Sequence, residues 1–235
     1  MKKRTKTLPA IITGVAILIG GIWLINESRY PNVPAFEDHF TRKFLNKDKK
    51  VEDEFYEFKS KTGQYTMWFP KGYQLIKENG EDYVINGNSY ERWIAKEVNN
   101  KAGNAGGSYI EMTFSNARKA ENEFFTVENM FKEQLNITKP NTFETSSTRI
   151  YYDSAYTYFK GTQEVIMHPN KEHASNTYIA YVADKHSNNA IELWFDKSEK
   201  SRKNDEVAEK KWFLAILKNI KFREEMKLNK AHVER

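Results

Sequence analysis

Uncharged, mostly apolar residues form one unbroken run of eighteen positions near the start of the chain, over residues 8–25. A helix of this length reaches roughly 27 Å, close to the thickness of the hydrocarbon core of a bilayer. Four basic residues precede the run, and short basic flanks stay in the cytoplasm. The pattern predicts a single-pass transmembrane helix in the cell membrane that contacts lipid through residues 8–25. Its N-terminus would be cytoplasmic and its C-terminal domain extracytoplasmic.

A secretory signal peptide is the alternative interpretation of this run. Such a peptide needs a small-x-small cleavage site after its apolar core, and residues 26–31 contain Asn, Glu, Ser, Arg, Tyr and Pro in that order. The chain has no cysteine, which excludes a lipid-modified N-terminal cysteine. We therefore favour an uncleaved signal anchor, with residues 1–7 as a cytoplasmic basic tail.

The segment that follows is predicted to be a juxtamembrane linker over residues 26–54. It contains two prolines, which favour an extended backbone. Phe36, Phe40 and Phe44 then recur at helical spacing among charged residues, so the pattern predicts a short amphipathic helix within residues 36–50.

Several strands are predicted in residues 55–222, two of them from the alternation of side chains. The clearest are residues 65–69 and 109–114, and others are predicted near 83–85, 93–95, 143–152, 155–164, 177–184 and 189–196. Helical spacing predicts one mid-domain helix over about 126–136 and one C-terminal helix over about 204–220. The predicted fold class is α+β: the transmembrane helix, then an antiparallel sheet with these two helices, then a polar tail over residues 223–235.

The distribution of charge along the chain argues against nucleic acid as a partner. The formal net charge is +5, but residues 1–7 carry +4 of it and residues 27–235 only +1. A nucleic-acid-binding domain should itself be basic. We therefore exclude nucleic acid as a partner.

A short motif gives a resemblance to a known family. Residues 65–73 place Pro70, Gly72 and Tyr73 directly after an alternating strand. Proline ends a strand, glycine permits a tight turn, and the aromatic ring can return to the apolar face of the sheet. With the order of elements that follows, residues 55–222 resemble Mog1/PsbP-like domains. Most members of that family are binding or assembly modules, so the resemblance implies no catalytic residues.

Motifs for catalysis, metals and cofactors are missing from the sequence. There is no cysteine and no His-Glu-x-x-His, and His168 and His173 lie in a segment whose Pro and Asn predict a polar loop rather than a metal site. The glycine-rich residues 104–108 lack the lysine of a P-loop and precede a strand, so they predict a flexible connection. We assign no catalytic residue, metal or cofactor, and we favour a non-catalytic domain.

Exposed aromatic side chains are the remaining candidates for binding. Trp68, Tyr109 and Tyr151 fall on the polar faces of their predicted strands, where they could contact a ligand or cover a second buried face. The first hypothesis is an extracytoplasmic domain that binds a protein partner of an envelope, secretion or immunity type. The alternative is an envelope hydrolase or glycan-binding domain, which would gather carboxylates and exposed aromatics in one cleft on the sheet. The strand carboxylates are those of Glu91, Glu97, Glu111 and Glu192.

Overall fold

The structure is a computed structural model that describes residues 29–77, 82–98, 107–198 and 206–223. The helices in these ranges are α1 (Pro34–Glu37), α2 (Glu123–Leu135) and α3 (Glu206–Lys218), with 3-10 turns at Thr41–Phe44 and Ala120–Asn122. The strands are β1 (Leu45–Glu52), β2 (Phe55–Lys59), β3 (Tyr65–Pro70), β4 (Tyr73–Leu75), β5 (Tyr83–Asn86), β6 (Tyr90–Glu97), β7 (Tyr109–Ser115), β8 (Asn141–Glu144), β9 (Thr148–Lys160), β10 (Gln163–Met167), β11 (Thr177–Asp184), β12 (Ala190–Asp196) and β13 (Lys221–Phe222).

These strands form two antiparallel sheets instead of the single predicted one. The large sheet has the order β10-β9-β11-β12-β7-β6-β4, with β5 also paired to β6 and β8 to β9. The small sheet has the order β1-β2-β3-β13. Because side chains alternate between the faces of a strand, each face of the large sheet carries its own set of residues.

The first face of the large sheet packs against the small sheet and α3, and together they bury the main core. Trp93 on β6 is fully buried. Its ring lies 5.4 Å from that of Phe58 on β2 and 6.0 Å from that of Phe69 on β3. Phe213 and Ile216 of α3 close the same core. The burial of aromatic rings, each of which removes a large area from water, joins the two sheets.

The second face of the large sheet packs against α2. Val127, Phe131 and Leu135 lie on one side of this helix and contact Ile179 and Tyr181 of β11 in a second, smaller core. The helix ends at Leu135, and the next residue, Asn136, adopts the left-handed conformation (φ 55°) that commonly terminates helices. The helix begins three residues before the predicted position.

The amphipathic helix predicted within residues 36–50 is replaced by three short elements. α1 and the turn Thr41–Phe44 bury Phe36 and Phe44, and β1 then pairs with β2. Phe44 stacks on Phe58 at 5.6 Å. The helical spacing of the phenylalanines is thus satisfied by turns that insert them into the main core. Residues 33–54, assigned from sequence to a linker, pack on the folded domain.

The predicted fold class is corrected with respect to the membrane helix. None of the helices in the described ranges is long and apolar enough to cross a membrane. The longest of them, α2 and α3, have 13 residues each, which reach roughly 20 Å. Residues 8–25 lie outside the described ranges. The structure therefore supports a mostly antiparallel fold with few helices, and the predicted single-pass signal anchor finds no support in it.

One buried carboxylate connects the two sheets. Glu91 of β6 is fully buried and accepts hydrogen bonds from the backbone N–H groups of Lys61 (3.1 Å) and Thr62 (3.2 Å), in the turn between β2 and β3. It also accepts from the Thr62 hydroxyl (2.8 Å) and from the Tyr83 hydroxyl of β5 (2.6 Å). Four donors compensate the burial of its charge, so Glu91 has a structural role.

Replacement of Glu91 should therefore destabilise the protein. Glu91→Ala leaves buried donors without an acceptor, and we expect the free energy of unfolding to fall by about 3 kcal/mol or more. The measurement is urea unfolding, with a lower midpoint and an unchanged slope. Glu57→Ala removes the more exposed ion pair with Lys49 and should cost about 1 kcal/mol or less. Equal effects of the two substitutions would contradict the structural role.

Candidate functional site

A groove lies on the second face of the large sheet, beyond the end of α2. Its floor consists of two neighbouring rows of side chains that run across three strands. The first row is Tyr109 on β7, Asp196 on β12 and Thr177 on β11, and the second is Glu111, Trp194 and Ile179 on the same strands. The antiparallel register brings residues that are far apart in sequence side by side.

Two further side chains form the walls of this groove. Gln134 projects from α2, and Glu164 projects from β10. The groove encloses about 350 Å³, a volume within the range of small-ligand sites. Tyr109 is 41 % exposed and Trp194 is half-buried, so both rings are accessible to a ligand.

The groove has a surplus of negative charge. Glu111 accepts a hydrogen bond from Arg92 at 2.7 Å, which neutralises it and raises the pKa of Arg92. Asp196 and Glu164 contribute two further carboxylates. Lys96 lies opposite Tyr109 at the border and brings one positive charge. Opposite charges in a partly dehydrated groove attract more strongly than in bulk water, so a cationic ligand group would be favoured here.

Hydrogen bonds within the first row hold its side chains in place. The Thr177 hydroxyl donates to Asp196 at 2.7 Å. Burial raises the pKa of Tyr109, and its hydrogen bond to Asp196 and the nearby negative charges raise it further. Tyr109 therefore stays protonated at physiological pH.

Beneath the start of α2, the surface of the large sheet carries pairs of oppositely charged side chains. Arg118 pairs with Glu192 and lies over the ring of Tyr181, 4.9 Å from its centroid. Glu123, the first residue of α2, accepts two hydrogen bonds from Arg149 (2.8 and 2.6 Å). These pairs fill the sheet surface beneath the helix, and the open groove begins where they end.

The aromatic residues selected from the sequence lie in three different places. Tyr109 lies in the groove. Tyr151 donates to Glu123 at 2.9 Å beneath α2, where burial and this bond raise the pKa of Tyr151 to about 12. Trp68 lies on the small sheet, with its ring 5.5 Å from that of Phe55. The structure does not bring the three together, and their role in binding stays a prediction.

The four strand carboxylates have separate roles. Glu111 and Glu192 lie opposite the buried faces of β7 and β12, as alternation predicted, and both pair with arginine. Glu91 is buried between the sheets, and Glu97 lines a different cavity. Sequence analysis did not single out Trp194, Asp196, Glu164 or Gln134. Alternation alone places Trp194 and Asp196 on the polar face of β12, but their neighbours depend on strand register.

The remaining motifs do not assemble a metal centre in the described ranges. His173 stacks on Tyr156 at 4.6 Å, and the turn that contains it is held by Asn170. No group of three or more His, Asp or Glu side chains among the described residues could hold a metal ion. Residues 104–106 lie outside those ranges. Gly107 lies against β6, where an added Cβ would be 2.7 Å from the carbonyl oxygen of Glu97.

A second cavity of about 440 Å³ lies at the end of the main core. Pro70, Gly72 and Tyr73, the residues of the family motif, line it together with Trp212. Its rings belong to the core packing, since Trp212 contacts Tyr73 at 6.0 Å and Phe195 at 4.9 Å. Lys197 and Glu209 in its wall pair with each other. The first groove, with its accessible rings and surplus charge, is therefore the better candidate site.

A family of known proteins matches most of the chain. The family model YvcA_Mog1p, described as "Putative lipoprotein YvcA", matches residues 31–221. The chain belongs to this family. The match confirms the Mog1-type resemblance noted from Pro70, Gly72 and Tyr73 and extends it into residues 31–54, in agreement with their packing on the domain. No curated protein matches the chain.

The family description bears on location. A lipoprotein family supports an extracytoplasmic protein associated with the cell envelope, which agrees with that part of the sequence prediction. A lipid on cysteine is the usual attachment of such proteins, but the chain contains no cysteine. The 235 residues therefore hold no position for that modification, and this chain departs from the family description on that point.

The ion pair at the start of α2 predicts a pH-dependent contribution to stability. Burial opposes the charged form of Glu123, but hydrogen bonds from Arg149 and Tyr151 outweigh it and lower the pKa of Glu123. A carboxyl whose pKa is lowered on folding stabilises the folded state above its ordinary pKa. This contribution is lost as the pH falls through the lowered value. Glu123→Gln should cost about 1–3 kcal/mol at neutral pH.

The measurement is urea unfolding of the unchanged protein and of Glu123→Gln from neutral pH to about pH 3. The difference between them should shrink at the acidic end. Glu121→Gln is the control, because Glu121 is exposed and lies 3.9 Å from Lys119. A difference that stays constant with pH would contradict the prediction.

Proposed function

We propose that this protein is a non-catalytic binding domain of the cell envelope that holds a basic segment of a protein partner in the groove. The observation that carries the proposal is the groove itself, in which Trp194 and Tyr109 lie in adjacent rows with Asp196, and Glu164 forms a wall. An indole or phenol ring attracts a Lys or Arg head group through its face. Carboxylates beside the ring add a charge of the complementary sign.

The lining of the groove also suits the aliphatic part of a basic side chain. Trp194 provides apolar surface on the floor, against which the methylene groups of lysine or arginine can pack while the charged head stays near Asp196. Gln134 can exchange hydrogen bonds with the backbone of the bound segment. A protein segment uses all of these features, whereas an anion would be repelled.

A glycan is the second candidate ligand. The groove gathers carboxylates and accessible aromatic rings in one place on the sheet, which is the arrangement that the alternative hypothesis required. Sugar rings stack on aromatic faces, and their hydroxyl groups donate to carboxylates. The two ligands differ in their dependence on ionic strength, because only the basic segment binds through opposite charges.

The test is a titration of the protein with fluorescein-labelled hexalysine, followed by fluorescence anisotropy. We expect binding at about 50 mM salt that weakens strongly at about 500 mM, where charges are screened. Glu164→Gln should weaken binding about fivefold, since it removes one exposed charge. Trp194→Leu should weaken it by a similar or larger factor through loss of the ring.

Matched controls lie outside the groove. Trp212→Leu changes a half-buried tryptophan of α3, and Glu172→Gln changes an exposed carboxylate in the turn after β10. Both should leave hexalysine binding unchanged. Salt-independent binding of chitohexaose that needs Trp194 would favour the glycan instead. Absence of both bindings, or equal losses in the control variants, would overturn the proposal.

A further inference from the structure

The outer edge of β10 carries backbone groups that have no strand beside them in the described ranges. The side chain of Asn176 bonds both the N–H (2.7 Å) and the carbonyl (2.8 Å) of Thr157, so the polar groups of Thr157 point toward β11. Polar groups alternate in direction along a strand. The backbone N–H and C=O of Tyr158 therefore point toward β10, and those of its partner Val165 point toward β9. It follows that Glu164 and Ile166 direct their N–H and C=O groups outward.

This edge lacks the lysines, prolines and register shifts that often prevent strand addition. The corresponding edge of the small sheet, β1, carries Lys47, Lys49 and Lys50 and has two register shifts, both of which discourage pairing. β10 contains no lysine and no proline, and it pairs with β9 without a register shift. An exposed phenylalanine, Phe159, lies directly opposite Glu164.

We propose that the protein partner binds as an extended strand that pairs with the outer edge of β10. This inference rests on the proposed function and adds how the basic segment is held. A strand paired with β10 places its side chains about 5 Å from those of β10 on the same face. On the groove side, its neighbour is Glu164, a wall of the groove. A lysine or arginine at that position pairs with Glu164.

Charge complementarity favours a basic partner strand over a second copy of this chain. Two copies of β10 paired antiparallel would place Glu164 opposite either Ile166 or the other copy's Glu164. The first arrangement leaves the carboxylate without a cation, and the second opposes like charges, which is destabilising. A basic strand satisfies both the outward backbone groups and the carboxylate.

The first test separates charge from backbone pairing at one position. Glu164→Gln removes the charge and keeps the outward N–H, whereas Glu164→Pro removes both and keeps the bonds between β9 and β10. We expect Glu164→Pro to bind hexalysine at least about fivefold more weakly than Glu164→Gln, because a backbone hydrogen bond is lost as well. Thermal unfolding of the two variants shows whether both are folded.

The second test changes the ligand, so it does not depend on the folding of a variant. Hexalysine with methyl groups on all backbone nitrogens keeps every charge but cannot donate to β10. We expect it to bind at least about tenfold more weakly than hexalysine to the unchanged protein. Amide hydrogen exchange should slow at Glu164 and Ile166 when hexalysine binds, and stay unchanged at Val165, which already donates to β9.

The outcomes distinguish this inference from the proposed function. One possible result is that hexalysine and its backbone-methylated form bind equally well while Trp194→Leu binds hexalysine more weakly. That result would overturn strand addition and leave the groove as the binding site. No binding of hexalysine to the unchanged protein would overturn both. Slow exchange at Glu164 and Ile166 without ligand, together with a dimer in solution, would assign the edge to a second copy and overturn the inference.

Discussion

The burial of Trp93 between the two sheets is the interaction on which the rest of the structure depends. Its ring contacts Phe58 and Phe69 of the small sheet, and its indole N–H donates to the Tyr65 hydroxyl at 3.0 Å. Glu91, two residues earlier on the same face, binds the turn between β2 and β3. Together they join the small sheet to the first face of the large sheet. The groove with Tyr109 and Trp194 lies on the opposite, second face.

On the second face, α2 covers one part and the groove occupies another. The length of the helix and the paired charges beneath it set the boundary between them. Beneath the start of α2, Arg149 pairs with Glu123 and Arg118 with Glu192, so the charges there compensate one another. Past the end of the helix, Asp196 and Glu164 lie beside accessible rings and do not form an ion pair with any described residue. The first region stabilises the fold, and the second keeps carboxylates and accessible rings at the surface.

Family membership and geometry bear on different parts of the proposal. A lipoprotein family places the domain at the cell envelope, and the groove and the outer edge of β10 meet at Glu164. A single extended basic segment could therefore use both surfaces at once. This would divide recognition between backbone pairing, which accepts many sequences, and side-chain contacts in the groove, which select charge.

The sequence alone determined the features that depend on neighbouring residues. Alternation identified the clearest strands and their buried faces, helical spacing located α2, and Pro70, Gly72 and Tyr73 pointed to the family. It could not supply the strand register, because pairing joins segments far apart in the chain. Only the tertiary structure therefore placed Tyr109 beside Asp196 and Trp194, and Glu91 against Thr62. It also overruled the local helical pattern of Phe36, Phe40 and Phe44, since burial in the main core and the pairing of β1 with β2 outweigh the weak stability of a short isolated helix.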